Sequence, residues 1–374
     1  MAPYIIITVV LTFLAVIDVS YLTAGPNIFK IYIKPAIMFA VAVFLTLFAG
    51  LRYRVGPDYG QYLDFFQTIA KFRDFSDMIS EPFISGIILE KGYVIYNYLC
   101  KDFGFHFFLT SFALIAIGLK YTFIHQYAKF PLYSLALLFV IQYLTQDFGQ
   151  IRQGFATGIT IWSIHYIVKK KFIQFLFLVL IASAFHYSAL IFLSAYFFDK
   201  LNLRYWLLFI LICIFQFVIK SDYLLILMAK FTYSPAINAK IASYAHSAKY
   251  GGELAFSLGN LFRIFLSGYL VLNERMLKQD RVLHLFATLY LWGYLIFCLF
   301  SFNTIFAARL NLYFRIVEVL LIPNILFLYR KEVVRYTLAY VVALCYLCLQ
   351  EYKQLSDAAS YGFYNNYQMS LKDE

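Results

Sequence analysis

KKKFIQFLFLVLIASAFHYSALIFLSAYFFDK, residues 169–200, is the stretch on which the topology turns. Three lysines open it, and an apolar run then extends from Phe172 to Phe198, interrupted chiefly around His186. A single tilted helix would fit the run, but it would put every later basic loop on the opposite side of a membrane from the earlier ones. Two short arms, 172–184 and 187–199, meeting near His186, keep all basic groups on one side. Each arm has about 13 residues, too few to cross alone at ~1.5 Å per residue. Half-helices of this kind are tolerated at membrane depth only when packed inside protein.

The same logic extends outward in both directions. Apolar runs at 4–22, 36–50, 106–126, 131–146, 150–168, 204–220, 254–273, 282–301, 310–329 and 336–350 join the two arms to give roughly twelve crossings. The expected fold is an all-α polytopic membrane bundle, compatible with a GT-C-like architecture. Lys30 and Lys34, Lys120 and Lys129, Lys169 to Lys171, Lys200 and Arg204, Arg275 to Arg281, and Arg330 to Arg335 are then all expected on the cytoplasmic side. Both termini face outward, and one membrane domain, 1–374, carries two outward loops at 51–105 and 221–253. Gly92 to Leu99 alternates Tyr with aliphatic residues and reads as a short interfacial helix.

Composition agrees. Of 374 residues, 63% are hydrophobic and 14% charged, against about 25% charged in soluble domains. The net charge of +11 does not point to nucleic acid, because Lys and Arg cluster at helix ends. Residues 1–29 contain no Lys or Arg, so a cleavable signal peptide is not expected. Cys100, Cys213, Cys298, Cys345 and Cys348 show no metal spacing and read as buried small hydrophobes.

Charged groups near a bilayer cost several kcal/mol unless paired or wetted. In the first cluster, Arg52-Tyr53-Arg54-Val55-Gly56-Pro57-Asp58-Tyr59, the arginines can present forks to phosphate or anchor the helix end. In the second, Gln146 to Gly154, Arg152 and Gln153 sit in the first turn of a helix. Arginine is poorly placed there for the dipole, so either Asp147 or a bound phosphate should compensate it. His186 is a packing residue or a base or phosphate donor. Arg309 and Tyr313 share a helix face, Arg315 and Glu318 can pair at i,i+3, and Asp18 reads as a helix-packing residue. There is no Asp-x-Asp, His-x-x-x-His or P-loop, so neither a metal nor a cofactor is expected, and a nucleoside triphosphate enzyme is disfavoured.

The segments Arg52 to Tyr59 with Tyr62, Glu90-Lys91-Gly92-Tyr93, Ile151-Arg152-Gln153-Gly154-Phe155-Ala156, Lys169 through Leu190 and Arg309 to Pro323 follow one another in an order that resembles the EpsG and Wzy-type polysaccharide polymerases. Pro57 departs from that pattern, which more often has a small polar residue there. The resemblance implies a glycosyltransferase at the outer face of a bacterial inner membrane, joining oligosaccharide repeat units carried on undecaprenyl diphosphate; with no metal motif in the sequence, it is expected to be metal-independent. It implies the lipid bilayer, a flippase and a chain-length regulator as partners, and no nucleic acid. On this reading Arg52, Arg54, Arg152, Gln153 and Arg309 bind diphosphate, and Asp58, Glu90 and His186 are candidate bases in that order. Tyr59, Tyr62, Tyr93 and Tyr313 contact sugar, unless the outer tyrosines form an ordinary interfacial girdle. A lipid-linked oligosaccharide flippase, a ligase of the O-antigen type and an O-acyltransferase are the alternatives.

Overall fold

A computed structural model of the chain describes residues 2–20, 32–80, 90–217, 258–301, 303–361 and 367–370. The loop expected at 221–253 and residues 81–89 of the loop expected at 51–105 lie outside the described residues. The described residues are overwhelmingly helical, and their one bridge of strand type joins Arg52 to Met369. The helices are α1 (Ala2–Ser20), α2 (Lys34–Gly50), α3 (Tyr59–Ala70), α4 (Phe75–Ser80), α5 (Lys91–Cys100), α6 (Phe105–Tyr127), α7 (Pro131–Leu138), α8 (Ile151–Val168), α9 (Phe172–Ser183), α10 (Ser194–Leu201), α11 (Tyr205–Phe217), α12 (Leu258–Leu272), α13 (Glu274–Leu277), α14 (Arg281–Leu299), α15 (Thr304–Arg315), α16 (Glu318–Leu328) and α17 (Val333–Tyr361). A π-helix, Phe139–Asp147, continues α7, and a 3₁₀ segment, Tyr187–Leu193, leads into α10. Helices α1, α6, α14 and the first part of α17 are long and apolar enough to cross a membrane.

The run 172–198 divides as its sequence suggests. Helix α9 ends at Ser183, the backbone turns through bonds from Ala184, Phe185 and His186 back to the 180–182 carbonyls, and the chain restarts at Tyr187. His186 therefore sits at the break.

The chain packs as two compact units, one of Met1–Tyr166, Ile173–Leu190 and Ile322–Glu374, the other of Ile167–Phe172 and Ile191–Leu321. In the first, α1 runs antiparallel to α7 and its π continuation. At one end Tyr4 meets Phe48 and Phe148 edge-on, and Tyr367 stacks on Phe48 at 4.1 Å. At the other end the Asp18 carboxylate accepts from the Leu132 amide at 2.8 Å and pairs with Lys34 at 2.5 Å. It thereby caps α7 from a neighbouring helix, the packing role its position suggests. The C-terminal residues return to the first end, where Tyr53 donates to the Gln368 carbonyl at 3.0 Å and Ser370 to that of Leu51 at 3.0 Å.

In the second unit α14 is the central helix, with α10, α11, α12, α13 and α15 packed on it. Phe198 stacks on Trp292 at 4.0 Å. The expected i,i+3 pair forms, Arg315 Nε donating to Glu318 at 2.9 Å. Arg263 of α12, which sequence reasoning passed over, lies over the Phe297 ring at 4.8 Å.

Two expectations are overturned: Cys345 and Cys348 on α17 are exposed rather than buried, and Lys120 leaves its expected place. Lys120 is not an exposed helix-end cation; it is an interior residue of α6, fully buried, and its ammonium donates to Asp147 at 2.5 Å. The carboxylate at the end of the π-helix thus compensates Lys120 rather than Arg152. Removing one partner of a buried pair strands the other charge at a cost of about 3–5 kcal/mol, whereas replacing both with apolar groups is often neutral. Lys120→Met is therefore expected to lower the melting temperature of the detergent-solubilised protein sharply, and Lys120→Met with Asp147→Leu to recover much of it. A single variant that melts like wild type would contradict a buried ion pair.

Candidate active site

Helix α2 ends at Gly50, and Arg52 folds back over its last turn. Its Nη1 donates to the Ala49 carbonyl at 2.6 Å and its Nε to that of Val55 at 3.1 Å, while the guanidinium lies 4.9 Å from the Phe148 ring. A cation there answers the partial negative charge of the helix C-terminus. Gly56, at φ 107°, lets the chain reverse directly against Phe148: a Cβ would stand 3.2 Å from the Phe148 carbonyl oxygen, a backbone region closed to most side chains. Arg52 is 1% exposed, and its Nε and Nη1 hold the turn. Arg54 is exposed and lies over the Tyr53 ring.

The turn delivers Asp58 to the start of α3, where Tyr59, Tyr62, Phe66 and Ile69 face inward. The Tyr62 hydroxyl donates to Asp58 at 3.4 Å. Burial pushes that hydroxyl far above the usual phenol range, with Asp58 adding to the effect and Arg152 and Arg52 opposing it. Both guanidinium groups thus act on one phenol. Tyr93 packs edge-on to Tyr62 and stacks on Phe65 at 5.5 Å.

Glu90 occupies the position before α5 and is 3% exposed. Its Oε2 accepts from Arg152 Nη1 at 2.6 Å; its Oε1 lies 2.9 Å from His186 Nδ1 and accepts from the Tyr187 amide at 3.3 Å. Burial opposes ionisation of this carboxyl, but the hydrogen bond to His186 and the charge of Arg152 outweigh it and hold Glu90 below the usual carboxylate range. An ionised carboxylate only accepts, so His186 Nδ1 carries the hydrogen and Nε2 is the basic nitrogen of the neutral ring. Arg152 also lies over the Tyr93 ring at 5.4 Å. Among the described residues Glu90 takes one of its five N–H donors.

The close approach that forms this cluster depends on Gly92. Its amide donates to the Ala184 carbonyl at 2.8 Å, and a Cβ would stand 2.7 Å from that oxygen. Three parts of the sequence meet here: the start of α5, the first turn of α8 and the break after α9.

The structure brings Arg52, Asp58, Tyr62, Glu90, Tyr93, Arg152 and His186 into one continuous cluster. Gln153 is buried beside Arg152, and Tyr59, Tyr62 and Tyr93 are buried with their rings packed on neighbouring aromatics. Arg309, exposed, and Tyr313, buried, belong to α15 of the second unit. Sequence reasoning did not foresee that Glu90 would be shared between Arg152 and His186, since residues 90, 152 and 186 are linked by no local pattern.

A carboxylate that orients an imidazole and anchors a cation, in an all-helical membrane bundle, defines a polytopic membrane protein with the makings of acid–base and phosphate chemistry. Comparison narrows the class: the EpsG family matches residues 36–369, and the chain belongs to that family. It is also 24% identical over 321 residues to the amylovoran biosynthesis protein AmsC of Erwinia amylovora, a match spanning 83% of this chain and 84% of that protein. No solved structure matches. These relationships support a polysaccharide polymerase role in a multi-pass membrane protein.

Because the Glu90 carboxyl is held below its ordinary value of 4.5, its stabilising contribution is complete above that pH and is lost as pH falls through the depressed folded-state value. The melting-temperature gap between wild type and Glu90→Gln should be widest near neutrality and close below about pH 4.5. A gap independent of pH would mean that Glu90 is not ionised in the folded protein. Gly92→Val should reproduce the neutral-pH loss by forcing α5 away from Ala184.

Proposed function

We propose that this protein joins undecaprenyl-diphosphate-linked oligosaccharide units by glycosyl transfer at the outer face of the inner membrane, with both chain termini on that side. The observation that carries the reading is the Glu90 carboxylate held between Arg152 and His186. The anomeric carbon–oxygen bond of the donor breaks and its electron pair goes to the diphosphate. A hydroxyl oxygen of the acceptor unit forms the new bond, and its proton passes to His186 Nε2. Glu90, whose low proton affinity makes it a poor base, stabilises the resulting imidazolium. This order differs from the one the sequence suggests: His186 takes the proton, Glu90 positions it, and Asp58 orients the acceptor or the Tyr62 hydroxyl.

Arg152 has donors to spare and answers the charge growing on the leaving diphosphate. Arg54, exposed at the turn, is its proposed partner in phosphate binding, and Arg52 holds that turn; Arg309, on α15 of the second unit, is not assigned to this site. Tyr59, Tyr62 and Tyr93, buried with their rings packed on neighbouring aromatics, brace the site from beneath rather than contact sugar, and Tyr313 is fully buried in the second unit. A flippase and a chain-length regulator are the proposed cellular partners. No metal enters the scheme, because guanidinium groups supply the positive charge.

Loss of one preorganised donor of this kind costs about 3 kcal/mol, or roughly 10²-fold in rate. Arg152→Ala and His186→Ala, at normal protein abundance, should therefore leave cells with single capped units in place of polymer, and Arg152→Lys should restore part of the chain length. Wild-type polymer in both alanine variants would overturn the scheme. Accumulated lipid-linked polymer in a deletion strain would identify a ligase instead.

A further inference from the structure

The second unit holds a cavity of about 430 Å³ lined by Ile167, Lys170, Tyr196, Asp199, Lys200, Asn202, Arg281 and His284. Its chemistry is unlike that of the Glu90 cluster. Arg281 is held by a fork, Nη1 and Nη2 donating to the two Asp199 oxygens at 2.5 and 2.7 Å. That pair is internally neutral. His284 Nδ1 is engaged by the Tyr205 hydroxyl at 2.6 Å, so Nε2 is its remaining ring nitrogen. The two lysines are different. Lys200 lies over the Tyr196 ring at 4.8 Å, and among the described residues neither it nor Lys170 has a carboxylate within ion-pair distance. Among the described residues, then, the two lysines of this cavity carry positive charge with no carboxylate paired to it.

The backbone concentrates strain at the same place. Among the described residues three that are not glycine adopt positive φ, and two of them, Lys170 at 56° and Asn202 at 43°, line this cavity. Both follow helix C-termini, where asparagine tolerates the left-handed region and lysine does so at a cost. Left-handed backbone at non-glycine positions is concentrated at ligand clamps. On α10, Phe197 and Leu201 stand three residues before and one after Lys200 and are 53% and 55% exposed, which sets exposed apolar side chains on the helix that carries this lysine. A phosphate flanked by hydrocarbon is the ligand that satisfies both halves.

We propose that this cavity binds the phosphodiester headgroup of an anionic phospholipid, with Lys170 and Lys200 as its charge partners, the Arg281–Asp199 fork as its fixed wall, and Phe197 with Leu201 along the acyl chains. Basic cavities at the ends of membrane helices bind such headgroups by charge. The site shares no residue with those assigned to glycosyl transfer, and its occupancy does not depend on that assignment.

Native mass spectrometry of the full chain in detergent, titrated with phosphatidylglycerol or phosphatidylcholine, tests it. Wild type should retain phosphatidylglycerol in preference to phosphatidylcholine. Lys170→Gln and Lys200→Gln should each weaken that preference roughly 5-fold, the worth of one lysine beside an anionic lipid. Lys200→Arg should keep it, and Lys169→Gln, which removes a charge beside the cavity without lining it, should leave it unchanged. Lipid-free melting of each variant at the wild-type temperature confirms that it folds. Equal retention of the two lipids, or equal loss in all three glutamine variants, would overturn the site. Displacement of phosphatidylglycerol by millimolar inorganic phosphate would also overturn it as a lipid site and make soluble phosphate the ligand.

Discussion

Glu90 is a carboxylate buried to 3% exposure, and a charge so placed persists only if donors surround it. Arg152, His186 and the Tyr187 amide provide them. The consequence is geometric as well as energetic. The first turn of α8, the break after α9 and the start of α5 are brought to one point, so the cation, the carboxylate and the imidazole cannot be moved independently. That shared point fixes which nitrogen of His186 bears hydrogen and which Arg152 nitrogen Glu90 takes.

The surrounding bundle makes this junction rigid. Asp147, just before α8, is anchored by Lys120 inside α6, and the π-helix that carries Asp147 also buries Gln142 and Gln146. A π segment of this kind is uncommon and tends to occur at functional sites. On the other side, Arg52 closes the turn after α2, and the returning C-terminal residues bond to Leu51 and Tyr53. Buried polar pairs and short backbone contacts therefore position the first turn of α8, while the aromatic residues fill the space beneath it.

Much of this was legible in the sequence, and the failures have physical causes. Apolar run lengths and the grouping of basic residues gave the helices, and the charge rule divided 172–198 at His186, where the structure also breaks it. Arg52, Asp58, Arg152 and His186 stood out because charge beside apolar runs is costly. Lys120 was misread because a lysine near the end of an apolar run looks the same whether it snorkels to an interface or reaches inward to Asp147; only tertiary contact separates the two. Likewise, Glu90 as the common partner of Arg152 and His186 follows from three distant segments meeting, for which local pattern carries no signal. The return of Tyr367–Ser370 to the turn at Arg52 was invisible for the same reason.

An experimental map of the protein with bound undecaprenyl diphosphate tests the central claim most directly. The account predicts phosphate oxygens about 3 Å from Arg152 nitrogens, with Glu90 still joining Arg152 to His186 and Nε2 of His186 open toward the sugar-bearing side. A diphosphate seated away from Arg152, or a Glu90 that has released His186, would contradict it.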